Sequence, residues 1–465
     1  MARRPCLALY LCLLLASSGC RDVPAREDLR PAVDLGFLGD RGKPDTAPDA
    51  APRQPPCLGY ILYSTPHGEN QAPLTTLCDM QGKVVRTWPY SGFPAVMLPG
   101  GSILAYQGMR DDNISLLQDV VQIVQVSWQG KVTWSFSAWD HDGTNLAMSR
   151  QHHDLQLASN PVGYYAPGQD AAPGGELTVL AHRTRRVPAL SPKTITDDVI
   201  YQVHPDGKLG KFIWQAADHL SSFGFDKSAL LDIKQNPGSA DDRGISDWLH
   251  VNSMALLGRN PWYDYQGDER FAPDNIIIGS RTASFLAIIS AETGEVVWRL
   301  GPDLSPGQPG AEIGQLVGPH HAHMIPNGLP GAGNILVFDN GGISGYGGPS
   351  GFPRYTRAYS RVVELNPRTM RKVWEYGPTS GTKLFFSPAL GSAQRLPNGN
   401  TFVASGAEGR LFEVTPNGQV VWGHQVKDKN GGTNVYRAYR VPPEWLPAQE
   451  NIAGYPPWST ACQPP

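Results

Sequence analysis

The 465-residue sequence has no surplus of either charge: 39 Lys and Arg stand against 42 Asp and Glu, a formal net charge of −3. That balance excludes the basic footprint that nucleic acid or anionic lipid would need, so no nucleic-acid partner is expected. Strong helix formers are also scarce, while Gly (51) and Pro (42) are abundant and Trp, Tyr, Val and Ile fall in short runs. This is the profile of an all-β chain. Cysteine is thin, with six in all. Cys6, Cys12 and Cys20 lie near the N-terminus, leaving Cys57, Cys78 and Cys462 for the folded part. In an oxidising compartment three cysteines give one disulfide and one thiol: Cys57 with Cys462 would join the two ends, and Cys57 with Cys78 would staple a hairpin.

The N-terminus reads as an export leader, residues 1–20. Arg3 and Arg4 precede an apolar run from Cys6 to Ala16, too short to span a bilayer, and then Ser17, Ser18 and Gly19 lead to Cys20. Gly19-Cys20 resembles a lipobox, which would make Cys20 a lipid anchor and the only link to a membrane, with a periplasmic or cell-surface location. An ordinary cleaved leader is the alternative. Residues 21–56 are rich in Pro, Ala, Asp and Arg with scarcely an aromatic, and are expected to form a disordered tether. Residues 57–465 exceed a typical single core unless they are built from repeats.

A repeat is present. A short apolar strand, a turn and a second strand ending in Trp recur six times, at Trp88, Trp134, Trp214, Trp298, Trp374 and Trp422. Five of the turns carry Gly at the position that tolerates positive φ: Gly82, Gly130, Gly207, Gly294 and Gly418. Between the hairpins a second phrase recurs, as in VMLPGGSILAY at 96–106 and RLPNGNTFVAS at 395–405. Two hairpins per repeat give four strands, the unit of a propeller blade, and six copies predict a six-bladed β-propeller. Closure is expected from the N-terminal strand at 59–65 completing the last blade, so that no edge stays open. The insertion at 217–244 is expected to hold a short helix, and the Gly- and Pro-rich loop at 341–359 to be irregular.

Histidines gather where inner strands should begin. The phrase GPHHAHMIPNG places His320, His321 and His323 within four positions, and strand alternation sends His321 and His323 to one face and His320 to the other. Gln151-His152-His153-Asp154, Asp247 to Ser253 with His250 and Asn252, and Asn434-Val435-Tyr436-Arg437 fall at corresponding points of other repeats. Packing alone gives no reason for such recurrence.

From about residue 58 to 445 the chain resembles the bacterial periplasmic aryl-sulfate sulfotransferases. The carriers are GYILYS with LCDMQGKVVRTW, HHD at 152–154, DWLHVNS at 247–253, NIIIGSR at 275–281, ETGEVVWRLG at 292–301, GPHHAHMIPNG with FDNGG, SRVVEL at 360–365 and VYRAYRV at 435–441. The resemblance implies a histidine-lined channel in which sulfate passes from an aryl sulfate to a histidine and then to a phenol, with no nucleotide donor and no cofactor. By motif, His250 and His320 match the sulfate-binding or acid/base histidines, His320 better than His321 or His323. Arg361 matches the arginine that clamps sulfate. Asn252, Tyr436, Arg437 and Arg281 are the further expected substrate contacts. One position departs: Val435 stands where the family's nucleophilic histidine precedes Tyr-Arg-Ala. Valine forms no sulfohistidine, so His153, His321 or His323 serves as nucleophile, or the chemistry has changed, or the chain binds without turnover.

Two other readings carry their own residues. A divalent transition metal held by His153, His250, His320 and His323 would make a hydrolase or oxidoreductase. A non-catalytic propeller would bind an aromatic or glycan ligand through Trp139, Tyr346, Tyr359 and Tyr436. His424, after Trp422, reads as a rim residue.

Overall fold

The computed structural model describes residues 54–65, 74–109, 119–138, 140–141, 147–168, 175–238, 246–342, 344–348, 355–378, 384–427 and 434–463. The chain divides into Met1–Pro52 and Arg53–Pro465. The expected leader, its Cys20 and most of the tether lie outside the described residues. The last three residues of that tether are fixed to the fold, since Asn398 and Asn400 each donate to the Pro55 carbonyl at 3.2 Å.

Six four-stranded antiparallel sheets form the ring of a β-propeller. The first strands of successive blades pack against one another around the centre: Ser91–Met97, Gln151–Leu157, Val251–Leu256, His320–Met324, Ser392–Arg395 and Ala438–Val441. The ring closes differently from the sequence expectation. The N-terminal strand Tyr60–Thr65 does not complete the last blade; it is the second strand of the first blade, and the C-terminal strand Ala438–Val441 pairs with it as the innermost. The disulfide Cys57–Cys462 locks the same two ends, and Cys78 remains a buried thiol.

The recurring Trp has a structural cause. In five of six blades its indole N–H reaches over to a turn carbonyl of the next blade: Trp88 to Ser127 (3.1 Å), Trp134 to Pro205 (3.0 Å), Trp298 to Pro367 (2.8 Å), Trp374 to Pro416 (2.8 Å) and Trp422 to Met80 (2.9 Å), the last closing the circle. Trp214 is the exception. It is buried against Phe223 of the expected helical insertion, which forms a 3₁₀ segment Ala216–Phe223 and a helix Lys227–Gln235 capped by Asp226 at the Ala229 N–H.

Blade faces are covered on both sides by neighbouring blades. Strands such as Ile276–Ser280 and Phe285–Ile289 are therefore continuously apolar and buried rather than alternating. The innermost strands behave otherwise. Four of them carry a register shift, at Ser91/Val96, Gln151/Leu155, Val251/Ser253 and His320/His323, and the residues at or beside three of the shifts adopt left-handed backbone: His153 (φ 54°), His250 (φ 49°) and His321 (φ 49°). Bulges of this kind re-aim side chains, and non-glycine residues hold positive φ only where the surroundings enforce it.

Candidate functional site

The bulges of three consecutive blades turn His153, His250 and His320 towards one another. The rings of His153 and His250 meet edge to face, centroids 4.7 Å apart, and Phe93 and Tyr436 pack on His153 at 6.3 and 5.9 Å. Asp247 fixes His250 twice: one carboxylate oxygen accepts the His250 backbone N–H at 3.0 Å and the other pairs with its Nδ1. That leaves His250 Nε2 with no partner among the described residues. His320 is oriented in the same sense, with Nδ1 donating to Asn340 Oδ1 (2.7 Å) and to the Gly318 carbonyl (3.1 Å), and Nε2 facing the Leu390 N–H at 3.3 Å. Arg281, whose backbone N–H donates to the His250 carbonyl, is close enough to both rings to disfavour their protonation. The Asn252 carboxamide is fully buried and neither its oxygen nor its nitrogen has a partner among the described residues.

His321 and His323 share one side, as alternation requires, with centroids 4.5 Å apart. They form a separate pair. His323 donates from Nδ1 to the His321 carbonyl (2.9 Å) and accepts at Nε2 from the Tyr164 hydroxyl (2.8 Å), so both its nitrogens are occupied. His321 Nδ1 accepts from the Ala393 N–H at 3.3 Å.

Three expected substrate contacts have other work. Arg361 sits on the third strand of its blade, Arg361–Asn366, and its five N–H groups are all taken: Nε by Asp339 (2.8 Å), the others by Glu375 and the carbonyls of Ile313, Gly314 and Gln315. It is a strut, because nothing is left to hold a sulfate. Tyr436 spends its hydroxyl on the His153 carbonyl (2.8 Å) and, more weakly, on the Asn252 carbonyl. Arg437 pairs with Asp154 at 2.8 Å and donates to the Asn252 carbonyl at 3.0 Å. Both therefore hold the bulges in shape. Val435 is buried in an apolar cluster with Cys57, Ile61 and Leu411, away from polar chemistry.

The metal set read from the sequence, His153, His250, His320 and His323, does not assemble, because His323 is saturated and lies with His321. Sequence reasoning also passed over His182, Asp198 and Asp119, which stand with His152 behind His153. The signal was an Asp197-Asp198 pair inside the otherwise apolar strand Thr194–Val203. The aromatic-pocket reading does not assemble either. Tyr346 is buried in core, Tyr359 lies under Arg357, and Trp139 is outside the described residues. His424 is on the outer strand Val420–Gln425, half-buried beside Trp422.

The arylsulfotransferase (ASST) family pattern matches residues 168–437, more than half of the chain. The chain belongs to the arylsulfotransferase family. That match includes His250, Arg281, His320 and Asn340, and so most of the histidine site. No curated protein matches. Among solved structures the chain is similar to a protein of unknown function from Bacteroides caccae (12% identity, 83% of this chain and 99% of that one, TM-score 0.43). It is also similar to a streptogramin B lyase (11%, 81% and 85%, 0.35) and to virginiamycin B lyase from Staphylococcus aureus (10%, 81% and 89%, 0.34).

Burial governs the charge state of this arylsulfotransferase-family site. It holds His320 down to about 3 and His323 down to about 4, and depresses His153, His250 and His321 well below the usual imidazole value of 6.5. The rings are neutral at pH 7, as a nucleophile requires. In the unfolded chain each titrates near 6.5, so below that pH the unfolded state binds protons that the fold refuses, and stability falls as pH drops towards the folded values. His320 and His323 alone contribute roughly 1 kcal/mol each per pH unit in that window. A series of urea-unfolding curves should therefore show the midpoint dropping continuously from pH 6.5 to pH 4.5. Buried Asp197, raised to about 7, and buried Asp198 act in the opposite direction, so a level midpoint would mean that the histidine contribution does not exceed theirs.

Proposed function

We propose that the chain transfers a sulfuryl group from an aryl sulfate to a phenolic acceptor, with His250 as the attacking group. The observation that supports this reading is the pairing of His250 Nδ1 with Asp247, which leaves Nε2 with no partner among the described residues, its ring against His153 and within electrostatic reach of His320. Nε2 attacks sulfur, the bond from sulfur to the aryl oxygen breaks, and the phenolate departs with that electron pair. The ring becomes a cationic sulfohistidine, and the Asp247 carboxylate on Nδ1 stabilises the charge. Arg281 and the Asn252 carboxamide, which has no partner among the described residues, supply donors for sulfate oxygens. The acceptor phenol gives its proton to the departed phenolate through solvent and its oxygen attacks the same sulfur; the sulfur–Nε2 bond breaks, its electron pair returns to the ring, and His250 is neutral again as the new aryl sulfate leaves. The transfer uses side chains alone, with no nucleotide sulfate.

The disulfide Cys57–Cys462 supports export to an oxidising compartment. Lipid attachment at Cys20 and a periplasmic or surface location are part of the same proposal.

The test is phenol release from 4-nitrophenyl sulfate with phenol as acceptor. Wild type should release nitrophenol in an acceptor-dependent way, and Asn252→Ala should lower kcat/KM by roughly 10²-fold through loss of a donor to a sulfate oxygen. No protein-dependent release across several aryl sulfates would overturn the reading.

A further inference from the structure

One side of the histidine site is apolar. Phe93, on the innermost strand Ser91–Met97, packs its ring on His153 with centroids 6.3 Å apart and on Tyr436 at 4.5 Å, and Tyr106 stacks on Phe93 at 5.6 Å. These three rings are buried together with Val120. Met109 and Leu390 complete the cluster and are only half-buried, so the cluster opens to solvent at these two side chains. Met109 ends the strand Ile103–Met109, where the Tyr106 hydroxyl reaches its sulfur at 3.7 Å.

Leu390 is held in an unusual way. Its backbone is left-handed, φ 66°, a conformation that a branched apolar residue avoids because its Cβ crowds the following carbonyl. The other large apolar side chain with positive φ among the described residues is Met370, which closes a hairpin turn through its N–H to the Asn366 carbonyl. Leu390 closes no such turn. The histidine site clamps its peptide instead: its N–H faces His320 Nε2 at 3.3 Å, and its carbonyl accepts Asn340 Nδ2 at 2.7 Å and Ser387 Oγ at 3.0 Å. The same Asn340 accepts from His320 Nδ1 at 2.7 Å. Leu390 is therefore locked to both nitrogens of His320, directly and through Asn340.

Its place in the repeat matters too. Leu390 stands two residues before the innermost strand Ser392–Arg395, much as His250 stands just before Val251–Leu256. Backbone strain of this kind persists only where the surroundings over-determine it, and it gathers at binding sites. One blade thus brings leucine to the site where another brings imidazole.

We propose that Leu390 and Met109, backed by Phe93, form the face on which the aryl ring of donor and acceptor lies, and that Leu390 selects an uncharged ring. The class of ligand rests on the transfer reading, but binding of the ring needs no turnover. A flat apolar ring gains by covering these side chains, whereas a ring carboxylate would lose water there and find no partner. A ring on this face has His153 beside it, and His153 packs against His250 at 4.7 Å, so the ester bond and the attacking imidazole become neighbours. The residues are not the aromatic set expected from sequence.

The test reads binding apart from turnover, by equilibrium dialysis of the purified chain with 2-naphthol and with 6-hydroxy-2-naphthoate, which adds one carboxylate. Wild type should bind 2-naphthol at least roughly 10-fold more tightly. Leu390→Asn keeps a side chain that tolerates the left-handed backbone. It should weaken 2-naphthol roughly 10-fold and bring the ratio of the two affinities towards unity, with the urea-unfolding midpoint unchanged. Leu390→Met, which restores an apolar side chain, should keep most of the preference. A purely structural role would lower both affinities together and leave their ratio as it was. Should Leu390→Asn fail to fold, Met109→Gln decides, since it sits on a different strand and should narrow the ratio in the same way. No preference in wild type, or a ratio preserved in the folded polar variants, would overturn the subsite. A ratio that responds to Leu390 in a chain that transfers no sulfate would leave the subsite standing and remove the transfer reading alone.

Discussion

Replacing His250 by asparagine is expected to lower kcat for sulfate transfer by at least about 10³-fold, equivalent to about 4 kcal/mol of barrier, while leaving the blades intact. Asparagine is the informative substitution. His250 holds φ 49°, a conformation that asparagine tolerates better than alanine, so the bulge survives while the nucleophile is removed. Asp247→Asn should fall between this variant and wild type. It keeps a partner for Nδ1 but removes the negative charge that stabilises the cationic sulfohistidine, and a loss of roughly 10²-fold is expected, mainly in kcat rather than KM. Trapping completes the argument: brief incubation with donor and no acceptor should leave wild type carrying one sulfuryl group on the peptide containing His250. A label on His153 instead, or an active His250→Asn, would move the nucleophile and leave His250 as a sulfate contact.

How much of this was legible before the structure differs by residue. The six blades were readable because each ends on a Trp, and in five of them the indole reaches the next blade, so a constraint repeated in space repeats in sequence. His153, His250 and His320 were readable because each falls at or near the start of an innermost strand: third in Gln151–Leu157, just before Val251–Leu256, and first in His320–Met324. Arg361 shows where such reading stops. Its motif gives a position along the chain but not the depth of its strand in the blade, and on the third strand Asp339 and three carbonyls claim it. Tyr436 and Arg437 were placed well but assigned the wrong partners, because a hydroxyl or guanidinium near a bulge is drawn to the carbonyls that the bulge leaves unpaired. His182 and Asp198 were not readable as a pair. They are 16 positions apart in sequence and become neighbours only through the register of two strands.

The bulges themselves depend on one buried ion pair, and breaking it should be the most destabilising single change in the channel. Asp154 and Arg437 are each almost fully buried and meet at 2.8 Å. The Asp154 carboxylate also accepts the N–H groups of Met254 (3.0 Å) and Leu155 (3.1 Å) and the Gln156 amide (3.0 Å), while Arg437 donates to the Asn252 carbonyl. One carboxylate therefore ties together the first strands of two blades and the segment leading into the closing strand. Burial disfavours the Arg437 charge, but the adjacent Asp154 outweighs it and the guanidinium stays protonated. Arg437→Met would leave an uncompensated carboxylate in the interior and is expected to cost about 3–5 kcal/mol. The double variant Asp154→Asn, Arg437→Met should recover part of that loss, because the charges leave together and the amide still accepts the Met254 N–H. Urea-unfolding midpoints of the two single variants and the double measure the coupling. A cost below about 1 kcal/mol for Arg437→Met would show that the pair is not what holds the bulges. If it is, Arg437→Met should also reduce sulfate transfer, because the Asn252 carbonyl loses its guanidinium donor.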